Sequence, residues 1–292
     1  MIITNVLGGL GNQMFQYAAA RSLAIAKGQP LYLDLRSFSG YQLHNGFELA
    51  RVFCGEFKAA DQNQLVQMLG WRARHSLRKI FMRRQMACCM NAHFVVEPYF
   101  NYWPGLFEVP GDCYLLGYWQ SESYFKPVEE IIRKDFTFKS APSGQNGELA
   151  GEIAGCNAVS LHVRRGDYAG NAKTRRVHGL LPLAYYNDAA ARVAKEVSSP
   201  VFFVFSDDVD WARANLKMDF PCRFIGHNQG EESYRDMQLM SLCKHHVVAN
   251  SSFSWWAAWL NPDPGKLVFA PRRWFAGNTD VSDLIPRGWE ML

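Results

Sequence analysis

The stretch Ala158-Val159-Ser160-Leu161-His162-Val163-Arg164-Arg165-Gly166-Asp167-Tyr168 decides the fold class of this chain. Apolar Val159, Leu161 and Val163 alternate with polar Ser160 and His162, which predicts a buried β-strand over 158–163. Gly166 predicts a turn immediately afterwards. In open α/β sheets, ligands bind beyond the carboxyl ends of the strands. We therefore expect Arg164, Arg165 and Asp167 to lie at a ligand site.

The two arginines indicate that the ligand is an anion. A guanidinium group is permanently charged, and its fork of donors matches pairs of phosphate oxygens. A structural salt bridge between Arg164 or Arg165 and Asp167 is the alternative, because ion pairs also occur at strand ends. The stretch alone leaves both interpretations open.

The composition is that of an ordinary α/β protein with a sizeable core. A chain of 292 residues can form one large domain or two of ordinary size. The net charge of +4 gives no support for nucleic-acid binding, so we expect no nucleic-acid partner. The chain has no run of about 18 apolar residues, the length that a membrane-spanning helix requires.

The cysteines and the first residues predict a cytoplasmic location. The seven cysteines include no C-x-x-C pair, so neither a disulfide framework nor a zinc site is expected. Residues 1–10 run into Gly8 and Gly9 without a basic segment, which is typical of a first strand rather than of a signal peptide.

The beginning of the chain predicts a strand, a glycine-rich turn, a helix and a second strand over residues 2–35. Glycines at such a turn let backbone N–H groups approach a ligand, which makes Gly9, Gly11 and Asn12 candidate binding residues. The dinucleotide fingerprint is incomplete because Met14 occupies the position of its third glycine. A plain tight turn therefore remains the alternative.

The second half alternates strands and helices, which predicts a largely parallel sheet with loops near residues 164, 206 and 250 at one edge. Residues 139–155 are rich in glycine and poor in large apolar side chains, and we interpret them as a linker. The predicted domains are 1–148 and 149–292.

Asn250, Ser251 and Ser252 precede an apolar helix at that edge. Unpaired N–H groups and hydroxyls at a helix start bind anions, so together with Arg164 they suggest a pyrophosphate site. Alternatively, one of the serines only caps its own helix.

An acidic motif, Asp207-Asp208-Val209-Asp210, follows the strand predicted at 200–205. Its Asp-x-Asp pattern is typical of some divalent-cation sites, but these carboxylates can equally cap the helix that begins near Asp210. Because Arg164 and a helix terminus already offer positive charge to a diphosphate, we expect no metal. Asp207 remains a candidate ligand-binding residue.

Two further segments have structural or peripheral roles. The tryptophan-rich helix 253–259 is apolar on every face, which predicts burial in the core. Residues 61–90 have a helical pattern, and the basic part at 71–84 is either a solvated face or a contact with an anionic membrane surface.

Several motifs occur in order along the chain: Gly-Gly-Leu-Gly-Asn-Gln-Met-Phe-Gln-Tyr at 8–17, Gly-Tyr-Trp-Gln-Ser-Glu at 117–122, His-Val-Arg-Arg-Gly-Asp-Tyr at 162–168, Phe-Ser-Asp-Asp at 205–208, the helix at 231–241, and Ala-Asn-Ser-Ser-Phe-Ser-Trp-Trp at 249–256. Together they resemble the bacterial α-1,2-fucosyltransferases of glycosyltransferase family 11. The resemblance implies an α/β, GT-B-like architecture of two Rossmann-like domains with largely parallel sheets and a cleft between them. The N-terminal domain would face the acceptor and the C-terminal domain would bind GDP-L-fucose.

The resemblance also implies an activity and residue roles. L-Fucose would pass with inversion, without a cofactor or metal, to the 2-hydroxyl of a galactose in a glycan or lipid-linked oligosaccharide. Arg164 would bind the β-phosphate, His162 and Asp236 the guanosine, and Ser252 a phosphate. No glutamate closely follows Asp167, so a general base of the α-1,6 type is not evident, and Asp167 is our candidate for positioning or deprotonating the acceptor.

Two competing functions stay open at this point. The diphosphate chemistry does not identify the sugar, so the donor could be another GDP-sugar such as GDP-mannose. A non-catalytic basic module that docks on membrane or nucleic acid through 71–84 is the alternative from a different class. In the cytoplasmic enzyme, the same segment would give a peripheral contact with the inner membrane. Acceptor contacts are expected from the loops at 36–60 and 169–181.

Overall fold

The computed structural model describes residues 1–40, 44–74, 93–166 and 170–292. These residues form two compact units. The first unit comprises Met1–Lys139 and Asp280–Leu284, and the second comprises Ser140–Thr279 and Ile285–Leu292.

The first unit contains a parallel sheet with the order β2-β1-β4-β3. Its strands are β1 (Ile2–Asn5), β2 (Leu31–Asp34), β3 (Phe94–Val96) and β4 (Cys113–Leu116). Its helices are α1 (Leu10–Lys27), α2 (Leu49–Val52), α3 (Gln62–Leu69) and α4 (Glu129–Asp135), and 3-10 turns lie at Arg36–Phe38, Gly70–Ala73, Pro104–Glu108, Glu122–Tyr124 and Lys126–Val128. As predicted, β1, the glycine-rich turn, α1 and β2 follow one another, and α1 ends at Gly28 in the left-handed conformation.

The second unit contains a larger parallel sheet with the order β10-β9-β8-β5-β6-β7. Its strands are β5 (Asn157–Val163), β6 (Pro200–Ser206), β7 (Cys222–Ile225), β8 (His245–Val247), β9 (Val268–Ala270) and β10 (Glu290–Met291). Its helices are α5 (Gln145–Ala154), α6 (Ala172–His178), α7 (Leu183–Glu196), α8 (Val209–Asn215), α9 (Tyr234–Leu242) and α10 (Ser252–Leu260), with a 3-10 turn at Gly230–Ser233.

Strand β5 lies at the centre of the second sheet because its side chains are apolar on one face and small or aromatic on the other. Val159, Leu161 and Val163 are at most 2% exposed and pack against Tyr186 of α7 and Phe202 of β6. Burial of each such aliphatic side chain contributes roughly 1.5–3 kcal/mol. The predicted strand is thus confirmed, and its carboxyl end delivers Arg164 to the edge of the sheet.

The domain division predicted at 148/149 is wrong in position. It falls inside α5, which buries Leu149 and Ile153 within the second unit, so the units divide between Lys139 and Ser140. The linker predicted at 139–155 is therefore largely a helix. A further difference is that 280–284 returns to the first unit, where the Asn101 amide donates to Asp280 Oδ2 at 2.8 Å.

The tryptophan-rich helix agrees with its prediction, since Trp255, Trp256 and Trp259 of α10 are at most 3% exposed. The helix predicted over 61–90 is shorter where it is described, because α3 ends at Leu69 and Gly70 has a φ of 62°. Residues 75–84 of the basic segment lie outside the described residues. Within the described part of the chain, none of the helices is long and apolar enough to cross a membrane.

Candidate functional site

The carboxyl ends of β5 and β6 bring an arginine and an aspartate together. The parallel register sets Val163 opposite Ser206, so the residues that follow each strand are neighbours. Asp207 uses one carboxylate oxygen to pair with Arg164 Nη1 at 3.3 Å and the other to accept the Arg165 backbone N–H at 2.8 Å. Asp207 therefore fixes the loop that carries both arginines.

The two arginines point to different surroundings. The Arg165 guanidinium lies over the Trp211 ring of α8, with Cζ 3.9 Å from the ring centroid, and Nε is 3.7 Å from Asp208 Oδ2. Arg164 instead stays beside Asp207 at the strand end, where its side chain is 22% exposed. Arg164 is the better placed of the two for an anion beyond the sheet.

The acidic motif after β6 is engaged within the protein. Asp208 accepts the Trp211 backbone N–H at 3.3 Å and thereby caps α8, as the alternative interpretation predicted. Asp210 pairs with Arg213 at 3.4 Å. Among the described residues, no group of three or more His, Cys, Asp or Glu side chains could hold a metal ion.

His162, on β5, is a buried neutral imidazole. It is 4% exposed, and burial lowers its pKa to about 4, so it carries no charge at neutral pH. Its Nδ1 has no hydrogen-bond partner among the residues that the structure describes. Its ring centroid is 6.0 Å from that of Phe253, which joins the end of β5 to the first turn of α10.

The start of α10 lies beside the end of β5 because β8, which precedes it, pairs with β5. Ser251 is the N-cap and accepts the Phe253 N–H at 3.3 Å, so the capping interpretation is confirmed for this serine. Asn250 donates to the carbonyls of His178 and Trp274 at 2.9 and 3.2 Å. Ser252 is the first helical residue and is half-buried.

Asp236, in the first turn of α9, accepts the last hydrogen bond of a chain formed by amide side chains. Asn228 Nδ2 donates to Asp236 Oδ1 at 2.7 Å, and the Asn228 and Asn146 amides exchange hydrogen bonds of 2.8 and 3.0 Å. His227 Nε2 lies 2.8 Å from Asn146 Oδ1. Burial raises the pKa of Asp236 to about 7, although the Asn228 hydrogen bond opposes the shift.

The glycine-rich turn belongs to the first unit, whereas the other candidate residues described above belong to the second. Gly9 is the N-cap of α1, and its carbonyl accepts the N–H groups of Asn12 and Gln13. Gln13 Nε2 donates to the Gly8 carbonyl at 2.9 Å, and Asn12 Oδ1 accepts from Gln120 Nε2 at 2.8 Å. Neutral amide hydrogen bonds thus hold this turn, and Gly11 is buried inside the helix.

An ion pair at the end of β2 is enclosed in the same unit. Asp34 is fully buried and accepts hydrogen bonds from Arg36 Nη2 at 2.8 Å and the Tyr114 hydroxyl at 2.7 Å. Burial alone would raise the pKa of Asp34, but these hydrogen bonds and the Arg36 charge hold it below its usual value. The pair has a structural role, because the Arg36 guanidinium and the buried Asp34 carboxylate bind each other.

A model of the family described as glycosyl transferase family 11 matches residues 75–280. The chain belongs to glycosyl transferase family 11. An Escherichia coli alpha-1,2-colitosyltransferase is 35% identical over 283 residues, which cover 94% of this chain and 92% of that protein. A galactoside 2-alpha-L-fucosyltransferase of Bos taurus is 26% identical over 263 residues, covering 88% of this chain and 63% of that protein.

The solved structure of the alpha-1,6-fucosyltransferase NodZ, soaked with GDP-fucose, has a similar fold. Its TM-score is 0.55 at 18% identity, covering 89% of this chain and 92% of that one. The α/β, GT-B-like fold class expected from the sequence is therefore confirmed. This family 11 chain is a glycosyltransferase.

Sequence reasoning missed two parts of this candidate site. One is the pair Asn146 and Asn228, which hold Asp236. Asn228 lies just beyond β7, so the strand-end rule that selected Arg164 would have found it if β7 had been recognised. The other is Tyr186 of α7, whose hydroxyl receives a hydrogen bond from the Arg164 backbone. The candidate Asp167 lies outside the described residues.

Proposed function

We propose that this family 11 glycosyltransferase is an inverting α-1,2-fucosyltransferase. It transfers L-fucose from GDP-L-fucose to the 2-hydroxyl of a galactose in a glycan or a lipid-linked oligosaccharide, without a metal. The observation that carries the proposal is the Arg164 guanidinium, held by Asp207 at the end of β5 beside the start of α10. The names of the two relatives agree on an α-1,2 or 2-α linkage.

The chemistry explains why a positive group is needed there. The acceptor oxygen bonds to the anomeric carbon as the bond from that carbon to the β-phosphate oxygen breaks, and the hydroxyl proton passes to a base, for which Asp167 is the candidate. Negative charge grows on the departing diphosphate, so Arg164 and the N–H groups at Ser252 stabilise the transition state more than the ground state. Because Asp207 already orients Arg164, little reorganisation is needed during the reaction.

We also propose that the second unit binds the guanosine. A carboxylate accepts hydrogen bonds from two adjacent N–H groups, which is the pattern that guanine presents on its Watson–Crick edge. Asp236 supplies such a carboxylate, and the neutral His162 supplies a ring nitrogen at the same strand-end edge. Arg165, Asn250 and Ser251 shape the surrounding loops rather than contacting the phosphates.

Asp167 is proposed to position or deprotonate the acceptor hydroxyl, since it follows Arg164 and Arg165 on one loop. The variant Asp167→Asn should lose turnover while its GDP affinity stays within about threefold of the unchanged protein. Near-normal turnover on an intact fold would remove Asp167 from the mechanism.

A donor that carries colitose is the second candidate, because of the relative of 35% identity. Colitose differs from L-fucose by the absence of the 3-hydroxyl, so the same diphosphate site serves both sugars. Their kcat/KM values under identical conditions decide between them. A site that hydrogen-bonds the 3-hydroxyl rejects the sugar that lacks it by orders of magnitude.

The test of the proposed function is a panel of GDP-sugars and glycans with EDTA present, followed by linkage analysis of any product. We expect transfer from GDP-L-fucose to galactose-terminated acceptors and an α-1,2 linkage. A different linkage, a strict requirement for added divalent cation, or preference for GDP-mannose would contradict it.

We propose that the enzyme works in the cytoplasm, with residues 71–84 making a peripheral contact with the inner membrane. Charge reversal at Arg78 and Lys79 should reduce sedimentation with anionic vesicles and leave activity on water-soluble acceptors unchanged. Unchanged vesicle binding would leave the segment as a solvated face.

A further inference from the structure

A loop of the first unit, Gly117–Gln120, follows the central strand β4. It begins the Gly-Tyr-Trp-Gln-Ser-Glu motif, and it lies at the carboxyl ends of parallel strands, where α/β units bind ligands. Its neighbour across the sheet is the turn after β1, because β1 pairs with β4. The loop therefore occupies a ligand-binding position within its own unit.

The loop is held by a buried carboxylate. Glu97, which follows β3, is 6% exposed, and its two oxygens accept the backbone N–H groups of Tyr118 and Trp119, each at 2.9 Å. Hydrogen bonds to a carboxylate are about twice as strong as neutral ones. Gly117 is required beside it, because a Cβ at this position would lie 2.5 Å from the Glu97 Cβ.

The backbone of this loop is in an unfavourable conformation. Trp119 has a φ of 56°, in the left-handed region that bulky residues rarely adopt and that costs roughly 1–3 kcal/mol. Its fully buried ring packs edge-on to Tyr124, with centroids 5.6 Å apart. Gln120 then donates to Asn12, which ties the loop to the first turn of α1. Strain maintained by so many contacts indicates a functional constraint.

The result of this arrangement is that one side chain of the loop points outward. Trp119 and Gln120 are buried, whereas Tyr118 between them and Gly117 is 42% exposed. Partial burial and the nearby Glu97 charge raise the pKa of the Tyr118 phenol, so its hydroxyl remains protonated and able to donate. The loop thus presents a rigid aromatic face with a polar tip, which needs little ordering when a ligand binds.

We propose that the Tyr118 ring is a saccharide-binding platform that receives the acceptor of this glycosyltransferase. A galactoside has a face of C–H groups that stacks on an aromatic ring and hydroxyls that reach the phenol tip. This assignment rests on the proposed function for the identity of the acceptor. It adds to the acceptor contacts that the sequence predicts from the loops at 36–60 and 169–181.

The test compares Tyr118→Ala with Tyr118→Phe and with Trp71→Ala, a more exposed aromatic of the same unit (56%) outside the loop. Saturation-transfer NMR with methyl β-galactoside and a panel of neutral disaccharides measures binding without the donor. Steady-state kinetics measures the KM of the acceptor, the KM of GDP-L-fucose and the donor hydrolysis that occurs without acceptor.

We expect Tyr118→Ala to lose saccharide binding and to raise the acceptor KM by tenfold or more, with the donor KM and hydrolysis unchanged. Tyr118→Phe should retain the stacking and most of the affinity, and Trp71→Ala should match the unchanged protein. Equal effects of the two alanine variants, or no binding of any saccharide by the unchanged protein, would overturn the platform. A protein that binds saccharides through Tyr118 but transfers no fucose would refute the proposed function alone.

Discussion

The two parallel sheets carry different chemistry at their carboxyl edges. In the first unit the charged groups are enclosed, since Asp34 pairs with Arg36 and Glu97 binds two backbone N–H groups. In the second unit Arg164 and Asp207 remain 22% and 23% exposed, beside the buried His162.

The difference indicates a division of labour between the edges. A partly exposed guanidinium next to a helix start suits a diphosphate, whereas an outward tyrosine on a rigid loop suits a neutral sugar. We therefore propose that similar strand-end positions bind a charged ligand in the second unit and a neutral sugar in the first. Loss of the buried Arg36 partner at the first edge should accordingly reduce stability, whereas loss of Arg164 at the second edge should reduce turnover.

The largest effect is expected on the stability of the first unit. Arg36→Ala leaves the Asp34 carboxylate buried without its cation, which typically costs about 3–5 kcal/mol in the free energy of unfolding. The contribution of Asp34 exists above its unfolded pKa and is lost as the pH falls through its lowered folded value. Urea unfolding at several pH values measures both, and a loss below about 1 kcal/mol would show that the pair is not structural.

The next largest effect is expected on turnover in the second unit. Arg164→Ala should reduce kcat on the order of 10²-fold, because one preorganised group that stabilises the leaving charge is removed. Its partly exposed pair with Asp207 should contribute less than about 1 kcal/mol to stability. Arg213→Ala, a similar change on exposed α8, is the control and should leave kcat unchanged. Equal turnover in the Arg164 and Arg213 variants would exclude a leaving-group role.

A smaller effect is expected on nucleotide binding through Asn228. Asn228→Ala removes the hydrogen bond that opposes the raised pKa of Asp236, so more of this carboxyl is protonated at pH 7. GDP affinity should fall about tenfold at pH 7 and recover near pH 9, because only the ionised carboxylate accepts both guanine N–H groups. Calorimetric titrations across this range test it, with Asn215→Ala as an exposed amide control. A pH-independent loss would mean that Asn228 acts only through folding.

A pH-dependent change in stability is expected at Asp236 itself. Its folded pKa of about 7 lies above the unfolded value of 3.8, so the free energy of unfolding falls as the pH rises between these values. Asp236→Asn should remove this dependence, so the stability of the variant relative to the unchanged protein should increase as the pH rises from 4 to 8. If the free energy of unfolding changed equally in both proteins between pH 4 and pH 8, the raised pKa of Asp236 would be contradicted.

The elements that could be predicted from the sequence are those with a strong periodic pattern. Strand β5 and helix α10 were predicted because their apolar side chains alternate or surround the axis. Strand β7 was missed because it is an edge strand whose Cys222 and Arg223 are exposed, so it lacks a buried face.

The misplaced domain boundary has an equally specific cause. Gly147 and Gly151 disfavour a helix locally, but Leu149 and Ile153, four residues apart, bury one face of α5 and outweigh the glycine cost of roughly 1 kcal/mol each. Local propensity indicated a linker where tertiary packing makes a helix.

Part of the site could not be predicted because it depends on contacts distant in sequence. Arg164 and the cap Ser251 were found from strand ends and helix starts. Asn146 lies 82 residues from Asn228, and no local pattern joins an amide on α5 to the loop after β7. The outward direction of Tyr118 depends likewise on Glu97, which lies on a different strand end.

The claim that the diphosphate binds at the carboxyl edge of the second sheet is tested most directly by a crystal structure of the protein with GDP bound. We expect the β-phosphate within hydrogen-bond distance of the Arg164 guanidinium and the Ser252 backbone N–H, and the guanine edge on Asp236. A diphosphate seated instead on the Gly9 turn of the first unit would contradict the assignment of the donor to the second unit.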